Sequence, residues 1–279
     1  MQYIERHELP DDHYYHRTAS PVYKAYLEKC WPTAIELPWT PQFWWVKNLI
    51  GKNLQIAKYE RIDVEPDLEY IHKQHPLGHG ILIWVPWRRT DIPPHWKKLY
   101  LSSHFKENGF TTLDENFQKK WNERARRAYK KFLKSGAEIR LVDENTFVDA
   151  FKKTRVRHLF KSDYIKFYKD MMAIDPSSIR SWVCYYNWKP VAWLAVHDYC
   201  ENSSVHLVAF TGKEAYPIQG WTGLIHEWFQ DSLEKGMKYI NFDQLRQKYG
   251  PADQKGYSMF KENFIEYRVS YPTSYFQFF

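Results

Sequence analysis

The sequence predicts a two-lobed α/β protein, and three observations predict it. Runs with strand-like alternation are interleaved with segments of helical period along most of the chain. The stretch Ala215–Phe264 reads as a helix, a strand and a short second helix joined by polar loops, and the second half of the chain is arranged around it. With 279 residues, 44% of them apolar and 18% aromatic, there is material for one large domain or two lobes with cores of their own.

Taken in order, residues 1–20 are polar, rich in His and Tyr, and read as a loose arm. Pro21–Cys30 reads as a short helix. Pro38–Gly51 predicts another, with Thr40 as cap, Pro41 at the first helical position and Gly51 as stop. Asn53–Glu60 and Gly80–Val85 read as strands, and Leu99–Ser103 as a third, which makes residues 1–116 one lobe. A helix over Gln118–Ser135 bridges to the next lobe, and residues 117–135 are taken as that bridge. Phe117, Trp121, Ala125, Ala128 and Phe132 form its apolar stripe, while Lys119, Lys120, Arg124, Arg126, Arg127, Lys130, Lys131 and Lys134 stand against Glu123. Its net charge, +7, equals that of the whole chain.

Residues 136–279 form the second lobe. Two helices fit between Asn145 and Ile174. Ser181–Tyr186 and Pro190–His197 predict strands joined by a turn at Asn187-Trp188-Lys189, and Ser204–Phe210 predicts a third strand beside them. Leu224, Ile225, Trp228, Phe229 and Leu233 then share a helical face, and Gly236 supplies the left-handed stop. Lys238–Asp243 reads as a strand ending on a carboxylate. A link carrying Gly250, Pro251 and Gly256 leads into a short helix holding Lys261 next to Phe260. Tyr267–Tyr271 and Tyr275–Phe278 alternate around Pro272-Thr273-Ser274 and predict a closing hairpin.

Strand, two helices, three strands, helix, strand, helix and hairpin is the order of a GNAT-type acyltransferase domain. Within that class the chain resembles the Fem family of aminoacyl-tRNA-dependent peptidyltransferases, on three pieces. The basic helix runs into a strand over Arg124–Ile139. Asp243 is followed by Gly256-Tyr-Ser-Met-Phe-Lys-Glu-Asn-Phe264, similar to the family's G-L-x-x-F-K-x-x-F segment. Trp45-Val-Lys-Asn48 is similar to its substrate-binding lysine segment. The resemblance implies a GNAT-like acyltransferase fold in two lobes, as tandem GNAT-like halves with the first reduced. It implies transfer of an aminoacyl group from tRNA to an amine of a nucleotide- or lipid-linked peptidoglycan precursor, with Lys261, Phe260 and Asp243 catalytic and Lys47, Arg124, Arg127 and Tyr257 binding substrate. No metal and no organic cofactor are expected. Two departures stand out: Gln244-Leu245-Arg246 follows Asp243 where the family has a glycine pair, and Ser162-Asp163 stands where it has an arginine.

The chemistry can be weighed residue by residue. A lysine screened from water by an aromatic ring stabilises an oxyanion, because its charge acts more strongly there; a lysine on a surface helical turn is merely solvated. Asp243 could orient a group in a cleft or cap the following turn. The basic helix suits phosphates, yet an ordinary solvated face looks the same. Thr222 and Leu224 occupy the small-residue positions of a CoA-binding loop in Gln219-Gly-Trp-Thr-Gly-Leu224, leaving Gly220 and Gly223 for an irregular anion nest. His72, His75 and His79 lack a helix to align them as metal ligands, given Pro76 and Gly78. A net charge of +7 favours anionic partners, including peripheral contact with an anionic membrane. Three scattered cysteines suit a reducing cytoplasm. Two other functions remain open: an acyl-CoA-dependent N-acyltransferase, and a Fem-like protein that binds without catalysis.

Overall fold

The computed structural model describes residues 1–5, 20–30, 33–37, 40–50, 54–60, 64–74, 78–86, 91–99, 107–153, 161–245 and 254–279. The chain forms two compact units. One comprises residues 1–2, 109–245 and 251–268; the other comprises residues 3–108, 246–250 and 269–279. The last strand, which the sequence attaches to the second lobe, therefore groups with the N-terminal residues.

The N-terminal residues supply β1 (Gln2–Glu5), α1 (Pro21–Cys30), β2 (Thr33–Leu37), β3 (Thr40–Ile50), β4 (Leu54–Glu60), α2 (Leu68–Gln74), β5 (His79–Val85) and β6 (Lys97–Lys98). Thr40–Ile50 is a strand, not the helix that Thr40, Pro41 and Gly51 suggest. Aromatic and β-branched residues dominate it, and such residues fit a pleated surface. Antiparallel ladders to β2 and β4 on its two sides satisfy its backbone, so the capping signals are overridden. Ala57, Ile71, Leu82, Trp84 and Trp96 form this unit's core, with the Trp84 and Trp96 rings edge to face at 5.3 Å. The expected strand at Leu99–Ser103 falls mostly outside the described residues.

The chain continues through β7 (Glu107–Thr112), α3 (Phe117–Lys120), α4 (Glu123–Leu133), β8 (Glu138–Leu141), α5 (Glu144–Lys152) and α6 (Lys161–Ile174). Then come β9 (Ile179–Tyr186), β10 (Lys189–Cys200), β11 (Ser203–Thr211), α7 (Ala215–Ile218), α8 (Gly220–Glu234), β12 (Tyr239–Gln244), α9 (Gln254–Lys261), β13 (Tyr267–Ser270) and β14 (Tyr275–Phe278). The bridging helix is broken: Trp121 is extended (ψ 146°), and the Asn122 side chain caps α4 by accepting from Ala125 N at 2.9 Å. The closing hairpin is also absent. β13 lies between β1 and β7 in the order β1-β13-β7-β12-β11-β10-β9-β8, whereas β14 joins β2-β3-β4-β5-β14-β6. Alternation marks a strand but does not name its partner; β14 is fixed by its antiparallel register, Tyr275 opposite Trp84.

β9, β10 and β11 are adjacent and antiparallel, as the sequence predicts. α8 lies against them through Leu224, Ile225, Trp228 and Phe229, each 1% exposed or less. Arg180, buried on β9, fastens the two layers together. It forms a bidentate pair with Asp198 of β10 (2.6 and 2.8 Å) and an ion pair with Asp231 of α8, and it donates to Ser204 and Ser232.

Candidate active site

The site is built where two parallel strands stop pairing. β11 and β12 are in register only from Ser203–Tyr239 to Val205–Asn241, although β11 runs on to Thr211. Past that point the strands leave a notch, and His206 is the first residue of β11 in it. α9 fills the notch. Its Tyr257 and Lys261 are one helical turn apart and share a face. The Tyr257 hydroxyl hydrogen-bonds the His206 imidazole, with Oη 2.7 Å from Nε2. Lys261 Nζ donates to Phe242 O and to Gln244 O (3.0 Å), and lies 4.2 Å from the centroid of the Tyr257 ring.

Asp243 explains how one ammonium reaches both carbonyls. Its φ of 59° is left-handed, uncommon for a residue other than glycine, and its N–H is held by Asn241 Oδ1 at 2.7 Å. The backbone curls at that residue, so the carbonyls on either side of it converge on Lys261. Where the family pattern places glycines after the aspartate, Leu245 is fully buried here. The aspartate itself takes the left-handed conformation.

Lys261 and Tyr257 thus come together beside Asp243, with refinements. Lys261 is 2% exposed, so it is not the solvated surface lysine that a helical turn suggests. The ring facing its ammonium is that of Tyr257, whereas Phe260 packs on Trp221 and Phe264. His206 escaped the sequence reading; a lone imidazole inside the apolar run Val205–Phe210 was the available signal.

The remaining expected residues stand apart from this cluster. Arg124 and Arg127 are exposed on α4, Arg127 paired with Glu123 at 2.7 Å. Arg126, though exposed, donates to Trp121 O and Lys119 O, and the half-buried Lys120 binds Thr112 and Asp114, so not all of the basic stretch is free for a ligand. Lys120 holds the Asp114 carboxyl below its ordinary pKa. Lys47 lies on β3, and its side chain is outside the described residues.

The glycines of the suspected anion nest serve packing. A Cβ on Gly223 would lie 2.5 Å from the Phe132 ring of α4, and one on Gly220 would lie 3.2 Å from Cys184 Sγ. The amides of Ala215, Tyr216, Gln219, Thr222 and Gly223 all donate to backbone carbonyls of their own segment. These five amides are therefore not free to cradle a pyrophosphate.

No family model and no curated protein matches the chain. Among solved structures, FemX superposes with a TM-score of 0.70 over 100% of this chain and 97% of its own, at 8% identity. The chain has a FemX-like GNAT fold. L-PGS from Bacillus licheniformis gives a TM-score of 0.51 at 13% identity, covering 84% of this chain and 79% of its own. A C-terminal domain assigned to a lysylphosphatidylglycerol synthetase from Agrobacterium fabrum gives 0.52 at 12% identity, covering 84% and 80%. The mixed α/β architecture expected from the sequence is that of this FemX-like fold.

Proposed function

We propose that the chain is an acyltransferase that moves an aminoacyl group from tRNA to an amine of a nucleotide- or lipid-linked peptidoglycan precursor. The observation that carries this reading is the notch cluster: a buried ammonium, an imidazole and a phenol converge where two parallel strands part. Aminolysis of an ester needs a held carbonyl, a stabilised oxyanion and a route for one proton. With the donor carbonyl in the notch, the Lys261 ammonium attracts the developing oxyanion. The acceptor nitrogen bonds to the carbonyl carbon and gives its proton to His206, from which the half-exposed Tyr257 hydroxyl leads outward. The intermediate then expels the ribose oxygen, which takes up a proton, and the C–O bond breaks. Asp243 would orient the incoming amine, and Phe260 would hold α9 against Trp221.

Against CoA as donor stand five bonded amides around the start of α8 and the packed positions of Gly220 and Gly223. Arg124, Arg127 and Lys130, exposed on α4, would take up tRNA phosphates, and Lys47 the nucleotide-linked acceptor. Such chemistry places the protein in the cytoplasm, where charged tRNA is found. The test offers the protein charged tRNA or acyl-CoA, each with a labelled acyl group, together with a nucleotide-linked peptide amine or phosphatidylglycerol as acceptor. Label moving from tRNA to the peptide amine is the expected result. Transfer from acyl-CoA alone, or from neither donor, would overturn the reading.

A further inference from the structure

The turn joining β9 to β10 carries a side chain that neither the core nor the notch uses. Asn187 and Trp188 have φ of 48° and 65°, two consecutive left-handed residues as in a type I′ turn. The second position of such a turn favours glycine. Here it holds a tryptophan that is 85% exposed, a large apolar ring displayed on a rigid two-residue tip.

Two other chain segments reach the same end of the sheet. β8 begins at Glu138 opposite Tyr185, so the link from α4 to β8 runs beside the turn. Gly212 N donates to Val191 O, so the link from β11 to α7 passes the start of β10. Each segment exposes a large apolar side chain of its own, Leu133 at 63% and Tyr216 at 64%. Exposed lysines accompany them: Lys131 and Lys134 on the first, Lys189 beside the turn and Lys213 on the second. The acids nearby are Glu214 and Glu138, the latter paired with Arg140 at 2.6 Å.

Single exposed apolar residues are ordinary on protein surfaces; here three come from separate segments that reach one end of the sheet, among lysines. Tryptophan and tyrosine settle at the level of lipid headgroups, with the ring in the apolar boundary and its polar edge in water. Lysines at the same level meet acidic headgroups. Leu133 separates this partner from a nucleic acid, because an aliphatic side chain offers a base no stacking face but gains from the acyl boundary.

We propose that this end of the unit, with Trp188 at its tip, docks on an anionic lipid surface. Trp188, Leu133 and Tyr216 enter the headgroup boundary while Lys134, Lys189 and Lys213 face acidic headgroups. The inference is independent of the reaction proposed above, since docking is read without any substrate.

The test is co-sedimentation of the full chain with vesicles of phosphatidylglycerol and phosphatidylcholine, against vesicles of phosphatidylcholine alone. Binding is expected to the acidic vesicles and to weaken with salt. Trp188→Gly installs the residue that the turn favours, so its Tm should be unchanged or higher, while its affinity for acidic vesicles falls roughly tenfold. Replacing Lys134, Lys189 and Lys213 together by alanine should flatten the salt dependence. Absence of wild-type binding to acidic vesicles would overturn the proposal, as would a folded Trp188→Gly protein that binds them as well as wild type. Equal binding to both vesicle types would also overturn it, since the lysines would then have no part. A loss confined to tRNA binding would assign the surface to RNA instead.

Discussion

Replacing Lys261 by methionine removes a charge that lies beside the notch and also closes two carbonyls of β12, so two effects have to be separated. Buried carbonyls left unsatisfied cost roughly 1–3 kcal/mol each, and unfolding should register that loss. Removing an oxyanion donor costs on the order of 100- to 1,000-fold in rate. Single-turnover transfer measured well below the lowered Tm should show the second effect beyond the first. Turnover that follows only the folded fraction would make Lys261 a backbone staple. His206→Asn keeps much of the ring's shape and a hydrogen-bonding atom but cannot take the proton. Its rate should fall by about 100-fold or more, and the limb of the pH–rate profile that reports the base should disappear. An unchanged profile would leave His206 a mere anchor for Tyr257. Lys261 and Tyr257 were legible because their segment carries a pattern. The burial of Lys261 was not, since it depends on carbonyls of a strand that folding brings over α9. His206 has no pattern around it, and its role arises only where β11 leaves β12.

At the level of elements, Gly223 of α8 shows how packing decides a sign. In a helix interior, alanine is ordinarily about 1 kcal/mol better than glycine. Here a Cβ would meet the Phe132 ring at 2.5 Å, and overpacking of that kind costs roughly 1–3 kcal/mol. Gly223→Ala should therefore lower stability by chemical denaturation, and adding Phe132→Leu should recover part of the loss. If Gly223→Ala alone stabilised the protein, the contact between α4 and α8 would be looser than described. Arg180→Met, which strands the Asp198 and Asp231 carboxylates, should be more severe, about 3–5 kcal/mol. Elements whose signals are local were readable: β9 and β10 are largely apolar runs, and Asn187-Trp188 turns the chain between them. Thr40–Ile50 was misread because cap, proline and glycine signals are also local, whereas the ladders to β2 and β4 that override them are not. Continuity of the basic helix failed for the reverse reason: Asn122, an inconspicuous residue in a charged run, caps a fresh helix.

The whole molecule responds to pH through groups that the reaction does not need. Burial pushes the Cys184 thiol from 9.0 up to about 12, and the Tyr168 phenol, hydrogen-bonded to Ser181 at 2.9 Å, from 10.0 up to about 12. Both are neutral when protonated. Between the unfolded values and about 12, the unfolded chain has released these protons and the folded chain retains them. Fewer protons on the unfolded state means that stability falls as pH rises. The contribution is complete below pH 9 and is lost progressively above it, by up to roughly 1.4 kcal/mol per pH unit for each group. Lysines titrate in the same range, so the total slope alone does not identify the cause. Cys184→Ala isolates the thiol. At pH 8 the variant should be less stable than wild type, having lost a buried side chain from the face against Gly220. Since alanine releases no proton, the gap should narrow steadily from pH 9 to pH 11. Urea unfolding of both proteins at pH 8, 9.5 and 11 reads the difference directly. A gap independent of pH would mean that Cys184 ionises as readily in the folded chain as in the unfolded one, and that the layer between β9 and α8 admits water.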